Sequence, residues 1–363
     1  MTEIVMNINS ISPLKVGCGQ YFEGEGYISL LPATLQRFGS RAYMIGGPKG
    51  ADVVMNALGD QLEQNHISYK LVCHEGQCTR DYAESYAEEA AKEGYTVIVG
   101  MGGGKCIDLA KATSVLSGLP IVTVPTSIAT CVATSMVCIM YNDKGQRKPA
   151  INMRKEVDVC IADLNLIATA PPRLFASGIL DSIAKLGECH HQKHVNSYRD
   201  CDTKEYIQLV NARAISEFLY GEGRDVYQNG KEAKRFADCV LTNLLHTSIV
   251  SGFADGSGQL ALAHATYDFM RTYNTEKAKP YLHGEIVAVG LLLQLAFNNA
   301  PEEEITATRK LMADMNMPTT LKDIDYDTSK DSIDFYLSHI AADGNVKSEE
   351  EKAQLQKAVR EIL

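Results

Sequence analysis

A glycine-rich turn separates an apolar run from a helix-forming stretch in residues 97–111, VIVGMGGGKCIDLAK. Successive glycines let backbone N–H groups approach an anion because no Cβ is in the way, and a following helix directs its positive N-terminal end at that anion. The segment predicts a phosphate-binding strand, turn and helix, with the turn over residues 100–104. It is not the GxGxxG pattern, which would need a glycine where Lys105 stands, nor a GxxxxGK[ST] loop. A purely structural turn is the alternative.

Two histidines four residues apart, His190 and His194, would share one face of a helix, which is a spacing used by many zinc sites. The stretch has no HExxH pattern, and the neighbouring His191 and Lys193 are typical of a solvated polar surface. This pair is therefore a secondary candidate for a metal site.

The composition argues against nucleic acid and membrane partners. The formal net charge is −10 and no basic stripe is present, whereas binding to a phosphate backbone uses clustered Lys and Arg. No stretch of 18 uncharged apolar residues occurs, and the N-terminal MTEIVMNINSISPLKVG lacks a basic region followed by a long apolar core. The ten cysteines form no CxxC pair, so they predict neither a zinc ribbon nor a disulfide framework. We expect a cytoplasmic protein.

The elements that would position these residues differ between the two halves of the chain. From about residue 40 to 165, β-rich runs (41–45, 67–72, 95–99 and 121–124) alternate with helical stretches (51–64, 79–93 and 105–117), which predicts a parallel, Rossmann-like sheet. After Pro171-Pro172, helical periodicity dominates, with breakers expected at 221–223, 229–230 and 256–258. A chain of 363 residues exceeds the roughly 250–300 residues of one core. The prediction is therefore an α/β domain over 1–168 and an all-helical domain over 169–363.

Three further segments follow the glycine-rich turn: PTSIATCVATSMVCIMYNDKG from Pro125, GILDSIAKLGE from Gly178, and the pair ALAHATYD and YLHGEIVAVG. In order and separation they resemble the glycerol dehydrogenase branch of the iron-containing alcohol dehydrogenase superfamily. The most specific parts are GGGKxxDxAK, the GxxD start of the second domain, and AH…HGExVAxG. The resemblance is strong over about residues 14–300 and weak in the tail.

The resemblance implies that the N-terminal domain binds NAD(P) and that the helical domain holds one divalent metal through Asp181, His264 and His283. The chemistry of this set agrees, because one carboxylate and two neutral imidazoles leave open positions where a substrate oxygen can coordinate. The ligand set itself does not choose between zinc and iron, and the glycerol dehydrogenase branch favours zinc. Helix capping by Asp181 and a core role for His264 are the structural alternatives.

The resemblance also assigns cofactor contacts. The pyrophosphate positions are Gly103, Gly104 and Lys105, with Asp108 at the start of the helix. The next strand-end loop contributes Thr126, Ser127 and Ala129, and the nicotinamide side is lined by Ser135, Val137 and Tyr141. Ordinary turn chemistry at Thr126 and a plain strand over 137–141 are the structural alternatives.

Two positions depart from the family pattern. The family's Ala-Ser-Thr-Asp is Ile128-Ala129-Thr130-Cys131 here, so Cys131 replaces the Asp that contacts the polyol. The strand-end Asp that binds the adenosine ribose is replaced by Gly46 or Gly47, followed by Lys49. The first departure moves the prediction from glycerol toward small carbonyl compounds, including 2-oxo acids, and the second predicts that NADP(H) is accepted.

We therefore predict a metal-dependent NAD(P) oxidoreductase that interconverts a small alcohol, either a polyol or a 2-hydroxy acid, and its carbonyl form. The resemblance further implies a homo-oligomer. A true glycerol dehydrogenase is the first alternative. A lyase similar to dehydroquinate synthase is the second, and it would need a basic cluster in the metal cleft, where we expect Arg271, Lys277 and Lys279 only on a loop. A protein that has lost catalysis is the non-enzymatic alternative, and retention of all three ligands argues against it.

Overall fold

The N-terminal half is built on a six-stranded parallel sheet with the strand order β1-β8-β5-β4-β2-β3. The computed structural model describes residues 16–191, 195–253 and 261–363, so the N-terminal 1–15, His194 and the breaker predicted at 256–258 lie outside the described residues. A separate antiparallel pair is formed by β6 and β7. The strands are β1 Cys18–Gly24, β2 Arg41–Gly46, β3 Ser68–Cys73, β4 Val97–Gly102, β5 Ile121–Pro125, β6 Val137–Tyr141, β7 Arg147–Asn152 and β8 Val157–Asp163.

Helices connect the strands and cover both faces of the sheet. They are α1 Leu31–Gln36, α2 Pro48–Leu58, α3 Gln61–Gln64, α4 Arg80–Lys92, α5 Gly104–Ser117 and α6 Leu164–Ala168. Two apolar clusters, one on each side of the sheet, bury the strand side chains of β2, β4 and β5. The four predicted β-rich runs are strands, but β4 continues through Gly102, so the glycine-rich turn is shorter than the predicted 100–104. Gly100 pairs with both β2 and β5 and Gly102 pairs with β5, which keeps both glycines in the strand.

From Leu164 onward, all the elements in the described ranges are helical. The helices after α6 pack on one another around an apolar core that also includes Ile107 and Ile128 of the first half. They are α7 Pro172–His190, α8 Thr203–Asn229, α9 Phe236–Leu241, α10 Thr247–Phe253, α11 Leu262–Tyr273, α12 Thr275–Ala278, α13 His283–Phe297, α14 Glu302–Asp314, α15 Lys330–Asp343 and α16 Glu349–Ala358. The predicted fold class, a parallel-sheet half followed by a helical half, is confirmed. The exact division at residue 168 stays a prediction.

Two of the predicted breakers behave differently. Residues 221–223 lie inside the continuous helix α8, so that prediction is wrong. A Cβ at Gly223 would lie 3.0 Å from Ile179 of α7, so this glycine serves close packing and not a break. Gly230 does end α8, with a φ of 54° that favours glycine. Pro171-Pro172 is no linker but the start of α7, since proline is favoured in the first helical turn.

Helix α7 approaches two backbone segments at distances that leave no room for a side chain. A Cβ at Gly178 would lie 1.7 Å from the carbonyl oxygen of Ile128, and a Cβ at Gly284, in the first turn of α13, would lie 1.9 Å from the carbonyl oxygen of Ser177. Gly178 of the GxxD motif therefore allows α7 to approach the loop after β5. Gly284 of the HGE motif allows α13 to approach α7. No helix in the described ranges is long and apolar enough to cross a membrane.

The close approach at Gly178 predicts a loss of stability when a methyl group is added. Gly178→Ala should lower the free energy of unfolding by about 2 kcal/mol or more, because the helix must shift away from the loop. Gly221→Ala is the matched control, since a Cβ there meets nothing within 4 Å and should stabilise α8 by about 0.4–1 kcal/mol. Urea unfolding measures both, and an unchanged midpoint in Gly178→Ala would contradict the packing described here.

Candidate metal centre and cofactor site

Three side chains from three helices bring their ligand atoms together. Asp181 lies in the middle of α7, His264 near the start of α11 and His283 at the first position of α13. The Asp181 Oδ1 atom is 3.2 Å from Nε2 of His264 and 3.4 Å from Nε2 of His283. All three ligand atoms lie within 4.8 Å of one another. The position of Asp181 also rules out the helix-capping alternative.

This arrangement fits a cation. Asp181 is 3% exposed, and its Oδ1 atom has no hydrogen-bond partner among the described residues. Buried polar atoms are nearly always paired, so an orphaned carboxylate oxygen that faces two imidazole nitrogens indicates a missing partner. A divalent ion bound by all three atoms would supply it.

Glu188 holds one of these ligands in place. Its Oε2 atom lies 2.7 Å from Nδ1 of His264, and its Oε1 atom accepts hydrogen bonds from the backbone N–H groups of His264 and Ala261. Carboxylate contacts of this kind fix the tautomer and orientation of a metal-binding histidine. Glu188 was not a predicted site residue, although Asp181, Lys185 and Glu188 are spaced i, i+4 and i+7 on one face of α7.

The charges of the cluster depend on one another. Burial favours the neutral acid at Asp181, but Lys185, His283 and His264 outweigh it and hold the carboxyl pKa well below its usual range. Burial likewise opposes the ammonium of Lys185, and the carboxylates of Asp181 and Glu188 nevertheless raise its pKa. Burial lowers the pKa of His283 and therefore favours the neutral ring.

His264 differs from His283. Burial opposes its charge, yet the Glu188 carboxylate raises its pKa to about 9. Metal ligation requires the neutral imidazole, so a cation that binds here must displace a proton from Nε2.

The predicted phosphate site lies at the carboxyl edge of β2, β4 and β5. Gly103 immediately precedes α5, which begins at Gly104, and Lys105 lies in its first turn. A Cβ at Gly103 would meet nothing within 4 Å, so the turn is open on that side. Gly47 precedes α2, and the N–H of Thr126 donates to the carbonyl of Gly102. The N-terminal ends of α2 and α5 therefore lie next to each other, where oriented backbone N–H groups favour an anion.

Asp108 lies one turn into α5 and not at its start, so that part of the prediction is wrong. It is buried, and one oxygen is 3.2 Å from the ammonium of Lys111. Burial raises the pKa of Asp108 to about 6 despite this partner. A contact between this carboxylate and the cofactor stays a prediction.

Lys111, which was not among the predicted site residues, holds the segment that is predicted to line the nicotinamide side. Its fully buried ammonium donates to the carbonyl oxygens of Val132, Ser135 and Val137 and to the Ser135 hydroxyl, at 2.8–3.1 Å. The last lysine of GGGKxxDxAK, three residues after Asp108, was the available signal.

Tyr141, one of the residues predicted to line the nicotinamide side, is linked to the candidate metal centre through Tyr267. The Tyr141 hydroxyl lies 2.7 Å from the Tyr267 hydroxyl, and the ring of Tyr267 packs edge-on against His283 with ring centroids 4.2 Å apart. Residues 126–131 lead from β5 to this region, and the Ala129 carbonyl oxygen is 3.5 Å from the Ser177 hydroxyl of α7. The loop that carries Ser127, Ala129 and Cys131 therefore lies against the helix that carries Asp181.

Cys131 is a neutral, half-buried thiol close enough to the metal centre to be affected by its charges. Burial raises its pKa to about 11, Asp181 adds to the rise and Lys185 opposes it. The thiol therefore adds no negative charge at neutral pH.

The other predicted residues that the structure describes contribute no ligand atom to this cluster. His190 ends α7, and its proposed partner His194 lies outside the described residues. Arg271 and Lys277 were expected on a loop, but they lie on α11 and α12. Arg271 donates to the Tyr281 carbonyl, and Lys279 forms an exposed ion pair with Glu276. None of these contacts builds a basic cluster around the metal ligands.

Comparison with known proteins finds that the chain is similar to one family of dehydrogenases. A family model described as iron-containing alcohol dehydrogenase matches residues 18–164. A glycerol dehydrogenase of Thermotoga maritima is 29% identical over 340 residues, which cover 90% of this chain and 89% of that protein. Hydroxycarboxylate dehydrogenase A of Escherichia coli is 28% identical over 275 residues, 74% of each chain. The crystal structure of a probable glycerol dehydrogenase from Sinorhizobium meliloti matches with a TM-score of 0.78 at 22% identity, covering 95% of this chain and 98% of that one.

The parallel-sheet half, the helical half and these relatives support an assignment to the iron-containing alcohol dehydrogenase superfamily, whose members depend on NAD(P) and bind a metal. Within the superfamily, the similarity to glycerol dehydrogenases supports the glycerol dehydrogenase branch. The protein is a metal-dependent oxidoreductase that acts on a small alcohol or carbonyl compound, and the predicted family and enzyme class are confirmed.

Proposed function

We propose that Asp181, His264 and His283 bind the single divalent cation of this oxidoreductase. The observation that carries the proposal is the buried Asp181 Oδ1 atom, which faces two imidazole nitrogens and has no hydrogen-bond partner among the described residues. Zinc is proposed ahead of iron, on the resemblance to glycerol dehydrogenases. The bound cation would polarise the substrate oxygen, and NAD(P) would accept or donate the hydride.

The surrounding residues position these groups. Glu188 keeps the Nδ1 proton of His264 on its own side, so that Nε2 is the ligand atom. Gly103, Gly104 and Lys105 bind the pyrophosphate at the start of α5, with Gly47, Thr126, Ser127 and Ala129 beside them. Lys111 fixes the segment from which Ser135 and Val137 line the nicotinamide side, together with Tyr141.

We further propose that NADP(H) is bound at least as well as NAD(H). Strand β2 ends in Gly46, and Gly47 and Pro48 follow, so no carboxylate stands at the strand end to bond the ribose hydroxyls or to repel a 2′-phosphate. The exposed Lys49 lies in the first turn of α2, where its ammonium can pair with such a phosphate. The exposed Asp52 is the alternative source of an acid.

For the substrate, we propose a 2-hydroxy acid and its 2-oxo form. Cys131 is uncharged where the resemblance predicts an Asp, so the cleft lacks both the acceptor for a polyol and the repulsion of an anion. One relative is named hydroxycarboxylate dehydrogenase A, and others are named glycerol dehydrogenase. Glycerol dehydrogenase therefore stays the second candidate. Homo-oligomerisation and a cytoplasmic location stay predictions.

Removal of a proposed metal ligand should abolish both metal retention and turnover. His264→Ala should fold normally and yet hold no stoichiometric zinc or iron after reconstitution, because two ligands are too few for a stable site. His246→Ala is the control, since His246 hydrogen-bonds Asn211 in the same half of the chain. Elemental analysis of both proteins decides, and one metal per chain in His264→Ala would disprove the assignment.

The nucleotide proposal is tested by fluorescence titration of NADPH and NADH. We expect a dissociation constant for NADPH equal to or below that for NADH. Lys49→Ala should weaken NADPH binding about 5- to 10-fold through loss of the phosphate pair, with little change for NADH. The exposed Lys92, near the end of α4, provides the control Lys92→Ala. A large preference of the wild type for NADH would refute the proposal.

The substrate proposal predicts opposite effects from one substitution. Cys131→Asp should raise the oxidation of glycerol or 1,2-propanediol and lower the reduction of 2-oxo acids, since the new carboxylate accepts hydrogen bonds and repels an anion. Cys131→Asn introduces a side chain with nearly the same shape as that of aspartate but without the charge. It should therefore affect 2-oxo acid reduction less than Cys131→Asp does. Steady-state kinetics measure the ratio. If the wild type oxidises glycerol far better than it reduces any 2-oxo acid and Cys131→Asp leaves that ratio unchanged, the protein is better described as a glycerol dehydrogenase.

A further inference from the structure

We propose that Lys185 binds the carboxylate of the substrate and is thereby the residue that selects 2-oxo and 2-hydroxy acids over neutral polyols. The inference rests on the metal site and the substrate class proposed above. It identifies one buried ammonium group as the group that binds the negative charge of the substrate.

Lys185 is a buried cation with few partners. Its side chain is 6% exposed, and its Nζ atom lies 3.0 Å from Nε2 of His264 and 3.8 Å from Oδ1 of Asp181. Within the described ranges, these are the contacts that the structure gives to the ammonium. A buried ammonium has three protons to place and is costly to leave unpaired.

Both partner atoms of Lys185 are proposed metal ligands. Nδ1 of His264 is already committed to Glu188, so Nε2 holds the single lone pair that a cation would take. Asp181 Oδ1 would turn to the cation as well. With metal bound, Nε2 of His264 would face the cation, and the ammonium would stay buried beside a second positive charge, which is a position that favours an anion.

The charge balance of the cleft leads to the same conclusion. The carboxylates of Asp181 and Glu188 balance a divalent cation and leave the charge of Lys185 uncompensated. A polyol brings no charge, whereas a 2-oxo acid brings one carboxylate. An Asp at position 131 could have paired with the ammonium, but the neutral thiol of Cys131 cannot. The departure at 131 and the lysine at 185 thus favour the same anionic substrate.

The short distance from Lys185 to the ligand atoms restricts which acids fit. Because Nζ lies 3.0 Å from one ligand atom, a carboxylate that reaches it must start close to the oxygen that the metal polarises. A carboxylate attached directly to the carbonyl carbon meets this requirement, and one several bonds away does not. The geometry therefore favours 2-oxo acids over acids with a more distant carboxylate.

Lys111 shows what a purely structural buried lysine looks like in this same chain. Its ammonium is surrounded by four oxygen acceptors and the Asp108 carboxylate, all within 3.2 Å. Lys185 has no such set among the described residues, and its two partners belong to the metal centre. The ammonium of Lys185 therefore has fewer hydrogen-bond acceptors among the described residues than the structural ammonium of Lys111.

The test measures binding of oxamate. This analogue of a 2-oxo acid carries a neutral amide group and keeps the carboxylate. Calorimetry on the metal-loaded enzyme with NADPH bound gives its affinity in the wild type, Lys185→Met and Lys185→Arg, with the exposed Lys310→Met as the control for loss of one charge. We expect Lys185→Met to weaken oxamate about 10- to 100-fold and Lys185→Arg to recover part of the loss. Lys185→Gln replaces the Met variant should the latter fail to bind NADPH.

Metal content provides the second readout. Loss of a positive charge beside the cation should leave metal affinity unchanged or higher, whereas a lysine that merely positions His264 would make the variant lose metal. Oxamate binding within about twofold of the wild type, or loss of metal in Lys185→Met, overturns the role assigned to Lys185 while the proposed function stands. A wild-type enzyme that binds metal and NADPH but no oxamate instead overturns the proposed substrate class, and the inference with it.

Discussion

The contact between α7 and the backbone of its neighbours is the constraint on which the rest of the structure depends. Gly178 lies against the carbonyl of Ile128, and the Ser177 carbonyl lies against Gly284, so three segments meet without side chains between them. One of these segments leads from the predicted cofactor-binding edge of the sheet, and the other two carry Asp181 and His283. The distance between the sheet half and the metal centre is thus fixed by main-chain atoms.

Around this frame, buried charges are arranged in two different ways. The Lys111 ammonium is saturated by oxygens of one chain segment and makes α5 and residues 132–137 a single unit. In the cluster of Asp181, Lys185, Glu188 and the two histidines, Oδ1 of Asp181 has no hydrogen-bond partner among the described residues, and the proposed cation would supply one. The first arrangement is typical of a structural site and the second of a binding site.

The sequence predicted the parts of the fold that depend on local pattern. β-rich runs separated by helical stretches indicated β2 to β5, and motif order indicated Asp181, His264 and His283 as a set. Residues whose partners lie far along the chain were not predictable in this way. Glu188 meets His264 and Lys111 meets the 132–137 segment only through tertiary packing. Gly221 and Gly223 suggested a break, but packing of α8 on α7 outweighed their low helix propensity.

The contact of Tyr141 with Tyr267 joins the two halves at the level of side chains. One phenol comes from β6 beside the proposed nicotinamide position, and the other stacks edge-on against His283. A displacement of Tyr141 on cofactor binding would be transmitted to the imidazole through a single hydrogen bond. By thermodynamic reciprocity, any factor by which the nucleotide alters affinity for the cation is the factor by which the cation alters affinity for the nucleotide. The two phenols are thus the contact through which binding of the nucleotide and binding of the cation would be coupled.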